Sequence, residues 1–313
     1  MIERIATRLI PIIRGNTVHN EHSVFSPLIQ GYWRMAEWGM TTQQQLSFVK
    51  QHIEFGITTV DHAPVYGASS CERMFGEVLA LEPSLREQIQ IVSKCGIYPE
   101  NTGNGNKRVS HYNSSKAAIL ASADESLSRL NTDHLDVLLL HRPDLLMDAD
   151  GAAEAFSELR AAGKVKHFGV SNFTTSQFDL LQSRLDAPLI TNQVEVNPVN
   201  LQVTEDGTLD QLQQARVTPM AWSCMAGGRI FTENSEQMIR LRETLTDVGH
   251  EIGAASIDQV ILAWVMRMPS NPVPILGSGN IERVQAAVAA LELTLTHEQW
   301  YRIWVASKGH GVA

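Results

Sequence analysis

Residues 135–141 read LDVLLLH, apolar at every position but Asp136 and closed by a histidine. A strand-length run this apolar has no face to show to water, so it is read as buried on both sides, as in a parallel sheet covered by helices. Seven further runs of this kind punctuate the chain: PLIQGYW (27–33), ITTVDHA (57–63), IQIVSKCG (89–96), VKHFGVSN (165–172), LITNQVEV (189–196), VTPMAWS (217–223) and VPILGS (273–278). Amphipathic stretches lie between them. SSKAAILASADESLSRL (114–130) opens on a capping serine and repeats its apolar positions at three and four, and NIERVQAAVAAL (280–291) does the same behind an asparagine cap. Residues 236–252 and 256–268 read as two more helices. Eight strand–helix units in roughly 300 residues predict an α/β fold, a closed (β/α)8 TIM barrel, over a single domain spanning 1–313. A doubly wound sheet would call for GxGxxG after an early strand, and that motif is absent. Residues 1–26, with RLIPII and a turn at Arg14–Gly15–Asn16, are expected to form a hairpin closing the barrel bottom. PENTGNGNKRVSHYN (99–113) is expected to be a long mobile loop after the third strand.

Composition narrows the function. Lys and Arg number 25 against 34 Asp and Glu, a net charge of −9 with no basic stretch, which argues against nucleic acid and anionic lipid as partners. A hydrophobic fraction of 43% and a charged fraction of 19% suit a globular enzyme and not a disordered chain. Cys71, Cys95 and Cys224 are far apart and form no CxxC pair, so neither a disulfide framework nor a zinc knuckle is expected, and a reducing compartment is. The histidines show no metal-ligand spacing, so no metal is expected. MIERIATRLIPIIRGN lacks the unbroken apolar core of a signal peptide, and no run reaches the ~18 apolar residues of a membrane span. A soluble, cytoplasmic protein is the expectation.

In a barrel of this kind the chemistry sits at the C-terminal ends of the strands. Four polar residues end or directly follow strands two, three and four: Asp61 in TTVDHAPVYG, Tyr66 five positions on, Lys94 in IVSKCG and His141 in LLLHRPD. Alone, Asp61 and Lys94 could be a structural ion pair, Tyr66 a rim residue and His141 a satisfied strand-end histidine. Their joint occurrence at three successive strand ends points to a site. A buried carboxylate and a buried ammonium on neighbouring strands must pair. The lysine is expected to lower the tyrosine pKa from ~10 toward a value useful for proton transfer, with a neutral histidine beside it to orient a carbonyl. The set reads as a proton-donating oxyanion site, with no nucleophilic Ser or Cys.

At this point the chain resembles the aldo-keto reductases. DHAPVYG (61–67), SKCG (93–96), HRPD (141–144), GVSNF (169–173) and NQVEVNP (192–198) match that family's blocks in order, over roughly residues 26 to 300. With AWSCMAGGRIF (221–231), the nearest likeness is to a branch of bacterial oxidoreductases related to the potassium-channel β-subunit type. The resemblance implies that Asp61, Tyr66, Lys94 and His141 form the catalytic tetrad. Tyr66 would then protonate a carbonyl as NADPH delivers hydride, Lys94 and Asp61 would tune it, and His141 would position the substrate. It further implies that Ser171, Asn172 and Gln193 hold the nicotinamide carboxamide and that Trp222 lies under the ring. By the same likeness Tyr32 and Trp33 lie near the ribose, and the loop Ser223–Arg229, with Met225 and Gly227, covers the pyrophosphate. Gly277, Ser278 and Gly279 open a helix as an anion site, and Arg283 grips the 2′-phosphate. The chain departs from the pattern at Gly277, where some branches carry lysine. It departs again at Ala286 and Ala287, where a Glu and an Asn often hold the adenine.

The expected partner is a small carbonyl compound, met by Trp33, Tyr98, the 99–113 loop and the residues after strand seven; oligomeric state is unreadable. Two other readings stay open: an NADP(H)-binding regulatory module with slow redox turnover, and an aldolase using Lys94 as a Schiff-base amine.

Overall fold

The computed structural model describes residues 24–100 and 109–313. Its eight barrel strands are β1 (Ile29–Gly31), β2 (Thr59–Asp61), β3 (Gln90–Cys95), β6 (Leu135–Leu140), β7 (Val165–Ser171), β8 (Asn192–Glu195), β9 (Met220–Trp222) and β10 (Val273–Leu276). All are parallel, and they close in the order β1–β10–β9–β8–β7–β6–β3–β2. Every one lies inside an apolar run of the sequence. The strands are shorter than the runs because the flanking apolar residues, such as Phe25, Leu28 and Val196, are buried in connections instead.

The pleat then sorts the side chains. Successive residues of a strand point to opposite faces. Ile91, Leu138 and Leu140 join the large outer core between barrel and helices, while Val92, Val137 and Leu139 join Phe25, Ile29 and Met220 in a smaller core within the barrel. Two residues beyond Val92, Lys94 therefore points inward above that inner core. Register places Asp61 opposite Val92 and Lys94 opposite Leu139, so the inward polar groups of β2 and β3 emerge just above the inner apolar layer.

The helices form the outer ring: α1 (Thr42–Glu54), α2 (Cys71–Leu81), α3 (Lys116–Leu130), α4 (Ala149–Ala161), α5 (Thr175–Gln182), α6 (Gln202–Glu205), α7 (Thr208–Ala215), α8 (Arg229–Thr232), α9 (Glu236–Ile252), α10 (Ile257–Met266), α11 (Ile281–Val288) and α12 (His297–Lys308). Their starts are written locally. Thr41, Thr174 and Thr296 each form a capping box with a Gln three residues on, Ser115 caps α3, and Asn280 accepts from two amides at the start of α11.

One expectation needs revision and another falls outside what is described. The hairpin over 1–26 lies outside the described residues, apart from its last three. The 99–113 stretch is not wholly irregular, because β4 (Ile97–Tyr98) pairs antiparallel with β5 (His111–Tyr112), with the Tyr98 and His111 rings stacked 5.2 Å apart. Cross-strand ring stacking of this kind is what holds so short a ribbon together; residues 101–108 lie outside the described residues.

Candidate active site

Lys94 is fully buried, and its three ammonium hydrogens meet three acceptors. Nζ donates to Asp61 Oδ1 at 2.7 Å, to the His62 carbonyl at 2.8 Å and to Tyr66 Oη at 3.0 Å. Tyr66 Oη in turn donates to Asp61 Oδ2 at 3.3 Å. The tyrosine is delivered by a left-handed turn, with Gly67, Ala68 and Ser69 all at φ between 51° and 70°. A Cβ at Gly67 would sit 2.5 Å from Cys71 Sγ, so only glycine fits there.

The electrostatics differ from the sequence expectation. The Tyr66 phenol is pushed well above its ordinary range, first by burial and then by the charge of the Asp61 carboxylate and the hydrogen bond that Tyr66 donates to it. The predicted fall toward neutrality is therefore incorrect for this arrangement. Lys94 is drawn below its usual range because burial outweighs the attraction of Asp61. Its charge is largely spent on Asp61, which leaves little to stabilise a phenolate at rest. The consequence is a site that holds its proton on Tyr66. His141 presents its edge to that ring with centroids 5.9 Å apart. Burial, then Lys94 and Arg142, push the imidazole down to about 2, so it is neutral across the working pH range.

Ser171, Asn172, Gln193 and Trp222 form one chain of hydrogen bonds at the ends of β7, β8 and β9. Trp222 Nε1 donates to Asn172 Oδ1 (3.1 Å), Asn172 Nδ2 donates to Ser171 Oγ (2.8 Å), and Ser171 Oγ donates to the Gln193 carbonyl (2.9 Å). Gln193 Nε2 reaches across the barrel to Asp61 Oδ1 at 2.8 Å, so this amide joins the tetrad directly. The Trp222 ring is half-buried, and Arg142 Cζ lies 5.7 Å from its centroid. Beyond it Ser223, Ala226, Gly227 and Gly228 all take left-handed backbone, while Met225 is half-buried and Arg229 is exposed with Nε on the Ala226 carbonyl.

Tyr32 is not part of the mouth. It lies on the outward phase of β1, fully buried, with Oη hydrogen-bonded to His52 Nε2 (2.9 Å) and its ring stacked on His62 (4.8 Å). Trp33, the next residue, is 60% exposed. At the start of α11, Gly277 is open and Ser278 Oγ accepts from the Asn280 amide. Gly279 is explained by packing, since a Cβ there would fall 2.4 Å from the Trp38 ring. Asn280 already accepts from the Glu282 and Arg283 amides, which leaves fewer free donors for an anion than the Gly-Ser-Gly turn suggests. The Arg283 side chain is exposed and, among the described residues, makes no ion pair or hydrogen bond. A cavity of about 160 Å³ lies beside His141, lined also by Val65, Cys95 and Tyr98.

Sequence reading missed three groups. Asn192 clamps both backbone groups of Phe173, fixing the turn that carries Asn172. Glu72 on α2 is buried, accepts from Ser93 Oγ (2.6 Å) and Arg129 Nε (2.7 Å), and adds a second negative charge behind Lys94. Arg142 was passed over as part of a motif. The sequence surroundings of the first two, Ser-Cys-Glu-Arg for Glu72 and Thr-Asn-Gln for Asn192, are polar enough that neither stands out.

Known proteins bear on this geometry directly. The model of the Aldo/keto reductase family matches residues 27–307. The chain belongs to the aldo/keto reductase family. Among the relatives of this aldo/keto reductase is an oxidoreductase, YdhF of Escherichia coli, 53% identical over 96% of this chain and 100% of that one. A 6-dehydroglucose reductase of Agrobacterium fabrum is 37% identical over 92% of this chain and 96% of its own. A Klebsiella pneumoniae aldo/keto reductase, solved in complex with NADP and acetate, superimposes with a TM-score of 0.70 at 28% identity, covering 89% of this chain and 90% of that one. The chain is thus an oxidoreductase of this family. Among the described residues no helix is long and apolar enough to cross a membrane, and no group of three or more His, Cys, Asp or Glu is placed to hold a metal ion.

Proposed function

We propose that the protein reduces the carbonyl of an aldehyde or ketone to an alcohol with NADPH, taking the proton from Tyr66. The observation that carries this reading is the closed triangle of Lys94, Asp61 and Tyr66, whose hydroxyl is kept protonated at the barrel mouth. A ligand carbonyl oxygen placed near Tyr66 and His141 meets one phenolic donor and one neutral imidazole, which can donate a single N–H. As the proton leaves Tyr66, the ammonium at 3.0 Å is positioned to stabilise the phenolate that forms.

The chain's residues also suit the dinucleotide. Ser171, Asn172 and Gln193 offer the mixed donors and acceptors that a carboxamide needs, and Trp222 offers a flat, half-buried face. Arg283 offers an exposed guanidinium, unpaired among the described residues, for the 2′-phosphate. Hydride donation is the chemistry that the reduced nicotinamide would supply there. The NADP complex of the Klebsiella relative supports this choice, and the 6-dehydroglucose reductases suggest an oxidised sugar as one substrate to try. The Schiff-base reading of Lys94 is opposed by its geometry, because a fully buried amine with all three hydrogens engaged is no free nucleophile.

Tyr66→Phe tests the assignment. It removes the donor and keeps the ring, so NADPH-dependent turnover of an aldehyde panel is expected to fall ~10²-fold while NADPH binding is retained. Activity above about a tenth of wild type would assign the proton to another group.

A further inference from the structure

Arg142 follows the catalytic histidine directly and precedes Pro143, which restricts its backbone to extended conformations. Its side chain is half-buried, yet among the described residues its guanidinium makes no ion pair and no hydrogen bond. Its guanidinium lies over the face of Trp222, 5.7 Å from the ring centroid, and a π-face does not satisfy five N–H donors. Three carboxylates on the adjoining strand ends and turn, Asp61, Asp144 and Glu195, are each hydrogen-bonded to other groups. Asp61 accepts from Lys94 and Gln193 through one oxygen and from Tyr66 through the other. Asp144 accepts from the Ser114 amide through one oxygen and the Leu146 amide through the other. Glu195, at the end of β8 opposite Trp222, has one oxygen on Asn197 Nδ2 and the other on Asn200 Nδ2. Arg142 is the chain neighbour of His141, whose ring lies 5.9 Å from that of Tyr66, and its guanidinium stands over Trp222, so it belongs to the same end of the barrel as the reacting groups.

A half-buried guanidinium with no acceptor is costly to keep and fits a planar, two-oxygen anion. We propose that Arg142 sets substrate choice by binding an anionic group, a carboxylate or phosphate, carried on the carbonyl compound whose oxygen sits at Tyr66. This rests on the carbonyl-reduction reading and adds the substrate class to it. The same guanidinium could instead meet a phosphate of the dinucleotide, so the test separates the two sources.

The experiment compares 4-carboxybenzaldehyde with its uncharged counterpart 4-carbamoylbenzaldehyde, in wild type, Arg142→Met and Arg142→Lys, with NADPH dissociation constants measured alongside. Methionine keeps the stem against Trp222 and removes the charge; lysine keeps the charge and loses the fork. Wild type is expected to prefer the carboxylate, and Arg142→Met to lose that preference, in kcat/KM, by about tenfold or more, with Arg142→Lys between them. If the methionine variant does not fold, loss of part of the preference in the lysine variant supports the proposal in its place. An unchanged preference in both variants overturns the proposal. So does a loss confined to NADPH binding, which would give Arg142 to the cofactor. Wild type that reduces both aldehydes equally overturns the anionic preference alone, whereas wild type that reduces no carbonyl removes the underlying reading and this proposal with it.

Discussion

Lys94→Met takes the centre out of the triangle. The native ammonium is fully buried and its partner side chain is 4% exposed, so neither charge has water to fall back on. Methionine fills most of the volume but leaves Asp61 with only the Gln193 amide and the Tyr66 hydroxyl, and leaves the His62 carbonyl without its donor. Removing one partner of a buried pair typically costs about 3–5 kcal/mol, much of it from the orphaned charge. At roughly 2 °C per kcal/mol for a chain of this size, the midpoint of thermal unfolding should fall by about 6–10 °C at pH 8. An orphaned carboxylate relieves its own cost by binding a proton, so the deficit should shrink at pH 5. The double variant Asp61→Asn/Lys94→Met removes the charge altogether and should recover the larger part of the loss while remaining inactive. Circular dichroism melts of the three proteins at both pH values decide the matter. A single variant that melts with wild type at pH 8, or a double variant no more stable than the single, would refute the buried-pair reasoning.

Burial pushes His52 down to about 4 and His62 to about 3, against about 6.5 when unfolded. The unfolded chain therefore binds more protons below pH 6.5, and stability should fall with pH by up to about 1.4 kcal/mol per unit for each histidine, continuing until the folded values are reached. Urea unfolding between pH 7 and 5 should show that slope, and His62→Phe, which packs between Tyr32 and Phe75, should flatten it; the same slope in both proteins would mean that His62 is not the source. Arg283→Ala should weaken NADPH binding about tenfold or more and leave NADH binding little changed, read by fluorescence titration at fixed salt. Equal losses for both dinucleotides would make Arg283 a support of α11.

The barrel and the four residues at its mouth were legible in the sequence because both depend on local pattern. A run apolar on every residue must be buried on both faces wherever it lies, and a polar residue closing such a run must find a use at the rim. Asp61, Lys94 and His141 lie at or near the ends of these runs, and the motifs around them added the family. Only the tertiary structure decided what those residues do to one another. Whether Tyr32 or Gly31 faces the barrel depends on the phase of the pleat, which apolar runs do not reveal, and that phase set the Tyr32 side chain against His52 and His62. The state of Tyr66 depends on whether burial or a charged neighbour wins, and that balance exists only when Asp61, Lys94 and Tyr66 share one dry pocket. Gln193 reaches Asp61 across 132 residues of chain, a contact that barrel closure makes and no local pattern records. Arg142 reads in the sequence as one more charge in a motif; it stands out once its half-buried guanidinium is seen, among the described residues, to make no ion pair and no hydrogen bond.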